Sequence, residues 1–183
     1  VDNRAGMEEF AESLATLRRA IDNPLLEFEE VPPPSRMAPF TAALVMRTLA
    51  NDGREPLAQG RFVILHDPDE QAGWNGTYRL VAQLRSQVDP EMGHDPLLTE
   101  ALWAWTDDCL VEEGAAYHDL TGTVTREFSE SFGGLSLRGS TLNVEIRASW
   151  TPSTTDLGAH LRAWTDLMLR TSGVASQRFL EGV

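Results

Sequence analysis

Residues 77–88 leave the chain the least freedom. Tyr78, Leu80, Ala82, Leu84 and Val88 alternate there with Thr77, Arg79, Gln83, Arg85 and Gln87. Successive side chains of an extended segment point to opposite sides, so this spacing predicts a strand with one apolar face and one wet face. Strands of that kind belong to antiparallel sheets covered on one side. Just upstream, residues 62–66 are apolar and rich in β-branched or aromatic side chains. Asp67-Pro68-Asp69 stops that run, because proline has no amide proton and aspartate competes for backbone donors. Gly73, Asn75 and Gly76 supply further turn residues. Residues 60–88 therefore predict a long β-hairpin with an irregular loop that carries Trp74.

The remaining segments sort around that hairpin. Residues 1–6 read as a loose end. Met7, Phe10, Leu14, Leu17 and Ile21 recur at helical spacing and predict an amphipathic helix, ended by Asn23-Pro24. Residues 25–31 alternate in part, as a strand does, and Pro32-Pro33-Pro34 forms a stiff connector without amide donors. Residues 40–49 fit both helix and strand; the turn sequence Asn51-Asp52-Gly53 favours a strand. Asp95-Pro96 predicts the start of a second helix, with a stripe at Leu98, Ala101, Leu102, Trp105 and Cys109 and a glycine stop at Gly114. Residues 121–132 and 142–150 predict two more strands, the second with Leu142, Val144, Ile146, Ala148 and Trp150 inward and Asn143, Glu145, Arg147 and Ser149 outward. Ser153 and Asp156 resemble a capping box before a third helix, which turns Leu157, His160, Leu161, Trp164 and Met168 to one side and ends near Gly173. Residues 172–183 read as a tail.

The expected fold class is α+β: one domain over 1–183, with a mostly antiparallel sheet of about six strands and helices mainly on one face. Phe62-Val63-Ile64-Leu65 is apolar on both faces. Part of the open face must then be covered by a helix, by the tail or by a second copy of the chain, and a homodimer is expected.

Charge narrows the partners. The net charge is −13, from 28 acidic residues against 15 basic ones, every one of the latter arginine. Counterion release on nucleic acid needs clustered cations, so neither nucleic acid nor an anionic membrane is an expected partner. A single cysteine, Cys109, excludes an intrachain disulfide. No apolar run approaches the ~20 residues of a membrane span. The first residues lack the basic-then-apolar pattern of a secretory signal. The expected location is the cytoplasm.

The strings LHDP (65–68), GWNGTYRLV (73–81), DPEMGHDPLL (89–98), SFGGL (131–135), EIRASWTP (145–152) and GAHLRAW (158–164) together resemble an actinobacterial family catalogued as a domain of unknown function. The resemblance runs from the first helix to the third. It implies an actinobacterial, cytoplasmic origin. It brings no activity, and so no catalytic or binding residue is carried over.

Several residues are candidates for chemistry. His66 and Asp67 stand at a strand end, where they, with Asp69, Glu70 and His94, would form a metal or hydrolytic site; as a plain turn, Asp67 would instead cap backbone donors. No pair of cysteines or histidines has ligand spacing, so no metal and no cofactor is expected. Asp156 and His160 are one helical turn apart, as a base and its orienting acid would be, but His160 falls on the apolar stripe and reads better as a core residue. Cys109 reads as an inert core thiol. Trp74, beside Asn75, serves either as an anchor for a partner or as a plug on the hairpin end. Arg79, Gln83, Arg85, Glu145 and Arg147 form one polar sheet face if their strands are neighbours. The sequence thus favours a non-enzymatic protein-interaction or scaffold module with His66, Asp67, Trp74, Asn75, Arg79, Arg85, Glu145 and Arg147 as its binding residues. The alternative is a small hydrolase or metal-dependent enzyme centred on His66 and Asp67.

Overall fold

The computed structural model describes residues 3–49 and 55–174. The turn expected at Asn51-Asp52-Gly53 and residues 175–183 of the expected tail lie outside the described residues. The elements follow in the order α1 (Asn3–Arg19), β1 (Leu26–Val31), β2 (Phe40–Thr48), β3 (Ala58–His66), β4 (Tyr78–Val88), a 3-10 turn (Pro90–His94), α2 (Leu98–Glu112), β5 (Tyr117–Glu130), a second 3-10 turn (Gly133–Arg138), β6 (Ser140–Pro152) and α3 (Leu157–Ser172). The six strands form one open antiparallel sheet in the order β1-β2-β3-β4-β6-β5. This is the α+β arrangement that the alternating strands required.

On β4 and β6 the residues predicted to point inward do so. Leu80 faces Trp150 across the β4–β6 pair, and Ala82 and Leu84 face Ala148 and Ile146. With Phe62, Ile64, Leu142 and Val144 they make a floor that is fully buried. The third helix lies on that floor and is buried on most of its circumference. Two contacts fix it. Met168 rests on Gly60, where a Cβ would come within 2.9 Å of its Sδ, and the Trp164 indole donates to the Gln83 carbonyl at 3.1 Å. The first helix closes one flank of α3 and the second helix the other.

Local signals account for most boundaries and miss some. The first helix begins at Asn3, inside the segment expected to be loose; Gly6 lets its first turn lie against Pro68 and Phe40, where a Cβ would come within 2.8 Å of the proline ring. Met7, counted on its apolar stripe, is instead exposed. Asp95 does not cap α2. It closes the preceding 3-10 turn and accepts from Leu97 N at 2.9 Å, so the helix starts at Leu98. Asp156 is itself the cap of α3, accepting from Gly158 N at 3.1 Å, and Ser153 takes no part. The fifth strand starts at Tyr117, four residues before the expected 121, and runs through an irregularity between His118 and Thr121.

The doubly apolar third strand finds cover within the chain. Val63 and Leu65 point to the face opposite the helices, where they pack with Ala43, Val31, Ala38, Val81 and Trp74. The Trp74 loop and the end of the proline-rich connector fold back over that corner. Gln71 ties them together by donating to Met37 O at 2.9 Å. This cluster needs no second copy of the chain.

Candidate functional site

The residues singled out at the β3–β4 turn separate in space. His66 pairs with Tyr78 on the helical face and is fully buried beneath α1, stacked on Tyr78 with ring centroids 4.1 Å apart. Its Nδ1 donates to Thr77 O at 2.9 Å. Asp67 accepts from Asp69 N at 3.0 Å and from Gln71 Nε2 at 3.1 Å, which is the work of a turn cap. Trp74 lies on the other face of the sheet, over Leu65 and Val63. Among the described residues no three His, Cys, Asp or Glu side chains converge as metal ligands.

The polar set on β4 and β6 does come together. Arg85 stands opposite Glu145, and Gln83 opposite Arg147. Glu145 holds Arg147, while Arg85 reaches Glu127 on β5 at 2.9 Å and Glu145 at 3.8 Å. The Arg147 side chain is 71% exposed. Arg79 is different. It is half-buried, donating to Ser149 Oγ at 2.7 Å and Thr151 Oγ1 at 3.0 Å. Burial pulls its guanidinium below the usual arginine range, and Asp119 works against that pull.

The feature that sequence reasoning did not single out is the hairpin carrying this face. Among the described residues the fifth strand pairs with β6 alone, so it forms one edge of the sheet. Its 14 residues include none that is buried. The second helix covers only its first half, where Trp103 lies on Gly122 so closely that a Cβ would come within 2.6 Å of the ring. Beyond that point β5 and β6 run on to a 3-10 turn between Gly133 and Gly139, both in the left-handed region that glycine adopts freely. Phe132 there is 75% exposed, Leu135 is exposed, and Leu137 is entirely so. Phe128, which packs on Gly93 and His94 of the first 3-10 turn, and Met92 of that turn are also exposed. The opposite edge is built otherwise. The first strand has 6 residues and carries Glu27, Glu29 and Glu30, the first two paired with Arg47. The fifth strand also carries charge, at Asp119, Arg126, Glu127 and Glu130, but it is more than twice as long and so offers more backbone to an added strand. The signal in the sequence was the string from Phe128 to Leu137, which places four large apolar residues around a glycine-broken turn.

At the other end of β5, His118 and Asp119 were not anticipated either. The irregularity there puts Asp119 at φ 55° and turns both side chains toward each other, with His118 Nδ1 2.6 Å from Asp119 Oδ2. Asn75, a predicted binding residue, donates to the same oxygen at 3.1 Å. These two hydrogen bonds hold the Asp119 carboxyl below its usual range, the His118 bond being the larger influence.

Comparison with known proteins gives one match. A model of the DUF3000 family, described as a protein of unknown function, matches residues 7–179. Neither the curated proteins nor the solved structures gave a match.

Proposed function

The chain belongs to the DUF3000 family, and we propose that it is a protein-interaction module whose contact surface is the β5–β6 hairpin with the polar face beside it. One observation carries this reading: Phe132, Leu135 and Leu137 are exposed at the tip of a hairpin whose outer strand is an unpaired sheet edge. Burying a side chain of that size contributes about 1.5–3 kcal/mol, so a partner that covers two or three of them gains much of a moderate affinity from the tip alone. The free backbone groups of β5 offer a second element of recognition, because an extended segment can add to an exposed edge. Arg85, Glu145, Arg147 and Glu127 flank the edge as a polar rim. That rim is near charge balance while the chain as a whole is strongly acidic, which suits a partner read by shape and hydrogen bonds more than by bulk charge.

His66 and Trp74 lie on opposite faces of the sheet, so among the described residues the set named for the enzymatic alternative does not converge, which favours the interaction reading. Among the described residues no helix is long and apolar enough to cross a membrane. The test is a comparison of partners captured from the source cell. Phe132→Ser with Leu137→Ser should retain the melting temperature, since both side chains are exposed, and should lose the proteins that the unaltered chain and a Val111→Ser control retain. An identical set of captured proteins in all three would overturn the reading.

A further inference from the structure

The charges on β5 stand toward its two ends. Between Asp119 and Arg126 lie six uncharged residues, Leu120-Thr121-Gly122-Thr123-Val124-Thr125. Among the described residues the β5 backbone makes no backbone hydrogen bond outside its ladder with β6. Charge and proline ordinarily protect a sheet edge, and this stretch has neither. Its two faces differ. Val124 stands opposite Ile146 and Phe128 opposite Leu142, on the helical face, and Leu120 and Val124 pack on the core from its rim. Thr121, Thr123 and Thr125 stand opposite Ser149, Arg147 and Glu145, on the open face.

A second copy of β5, running antiparallel, fits this edge residue for residue. A two-fold axis normal to the sheet keeps the helices of both copies on one side. Opposite residues of an antiparallel pair share a face, so the axis must pass through a residue. With the axis at Val124, that residue meets its own copy, Leu120 meets Phe128, and Thr123 meets Thr125. Gly122, without a side chain, meets Arg126, and Thr121 meets Glu127. Apolar groups then face apolar groups on the helical side, and no charge faces a like charge. Neighbouring axes fit worse. Through Thr123 or Thr125, Leu120 meets Arg126 or Glu130. Through Arg126, two guanidinium groups meet. Axes nearer the start of the strand run into the irregularity before Thr121. Nor does the net charge of the chain forbid the contact, because Arg85, Arg126 and Arg147 offset Glu127 and Glu145 beside the edge.

We propose that β5 pairs with β5 of a second copy of this chain, antiparallel about Val124, so that two chains share one continuous sheet. This rests on the reading of the hairpin as the contact surface and names the partner of its edge. Light scattering of the full chain should give twice the monomer mass at about 100 µM, well above a micromolar Kd. Val124→Glu and Val124→Lys should each be monomeric, because each sets like charges together at the axis, and an equimolar mixture should recover the dimer. Circular dichroism checks that both fold. In a Cys109→Ala background, Val124→Cys should give a disulfide-linked dimer on mild oxidation. Thr121→Cys should not, since in this register its copy lies roughly 20 Å away; the two cysteine variants decide the matter if a charged variant fails to fold. A monomeric unaltered chain, a dimer that survives both charged substitutions, or equal crosslinking from positions 121 and 124 would overturn the proposal. A monomer whose tip variants still lose captured proteins overturns the dimer alone, and a dimer whose tip variants keep every captured protein overturns the tip reading alone.

Discussion

In the interior, Trp150 donates its indole proton to His160 Nδ1 at 3.0 Å. That bond fixes the ring in the tautomer with the proton on Nε2, which finds no acceptor. Burial holds the His160 pKa down, at about 4 against an ordinary 6.5, and Asp156 opposes the shift. The ring is therefore neutral in the folded chain. Since its folded pKa is depressed, its contribution to stability is complete above about 6.5 and is lost as pH falls toward 4. A gap of that size corresponds to about 3 kcal/mol. Urea unfolding between these limits should show the decline, and His160→Gln, which keeps an acceptor for Trp150, should flatten it; parallel declines would assign the acid sensitivity elsewhere. Trp74 makes a second residue-scale prediction. Trp74→Ala should uncover Val63 and Leu65 and cost about 1–3 kcal/mol in thermal unfolding, with greater binding of a hydrophobic dye. Its place in a loop was legible in the sequence, but its role was not, because the choice between anchor and plug depends on Ala38 and Val31, far away along the chain. His118 and Asp119 were harder still. Adjacent residues on a strand point to opposite faces, and only the irregularity before Thr121 lets the two meet.

Between elements, α2 and α3 meet through an acid pair. Burial, and next a hydrogen bond that the protonated form donates to Glu113, push the Asp166 carboxyl up to about 7, with Arg170 pulling the other way. A raised folded pKa reverses the usual sign for an aspartate. The contribution is present below the unfolded value of 3.8 and is lost as pH rises through about 7. Denaturation at pH values on either side of neutrality should show Asp166→Asn gaining stability over the unaltered chain as pH rises, and no change in their difference would contradict the assignment. Cys109 on the same helix is buried, and its thiol is pushed up to about 11, so slow alkylation of the folded chain should follow. The seat of α2 on the sheet is just as narrow. Gly122→Ala would set a methyl group against Trp103 and the Arg147 carbonyl, within 2.4 Å of the latter, and should cost about 1–3 kcal/mol. Periodicity found most strands and the three helices among the described residues, because alternation and helical spacing are local; for β2 it fitted helix and strand alike, and turn residues decided. It misplaced the starts of α1, α2 and β5, where contacts with Pro68, the preceding 3-10 turn and the irregularity at Asp119 decide.

At the scale of the molecule, the sheet is closed by helices on one side, by a loop over one corner of the other, and by charge along the β1 edge. The β5 edge is longer, and at the tip beyond it Phe132, Leu135 and Leu137 are left exposed. The α+β class and the polar face of Arg85, Glu145 and Arg147 were legible because each follows from residues two apart on one strand. The bare hairpin was not, since strand order decides which strand becomes an edge. The open side of the sheet thus divides into a corner closed by Trp74 and a polar region, the one proposed above for a partner. Site-specific photocrosslinking in the source cell tests that division most directly, with the reactive group placed at Leu137 on the tip or at Val111, exposed on α2 at the helical side. A discrete adduct to another protein from position 137 and none from position 111 is the predicted result; no adduct from 137, or the same adducts from both, would contradict it.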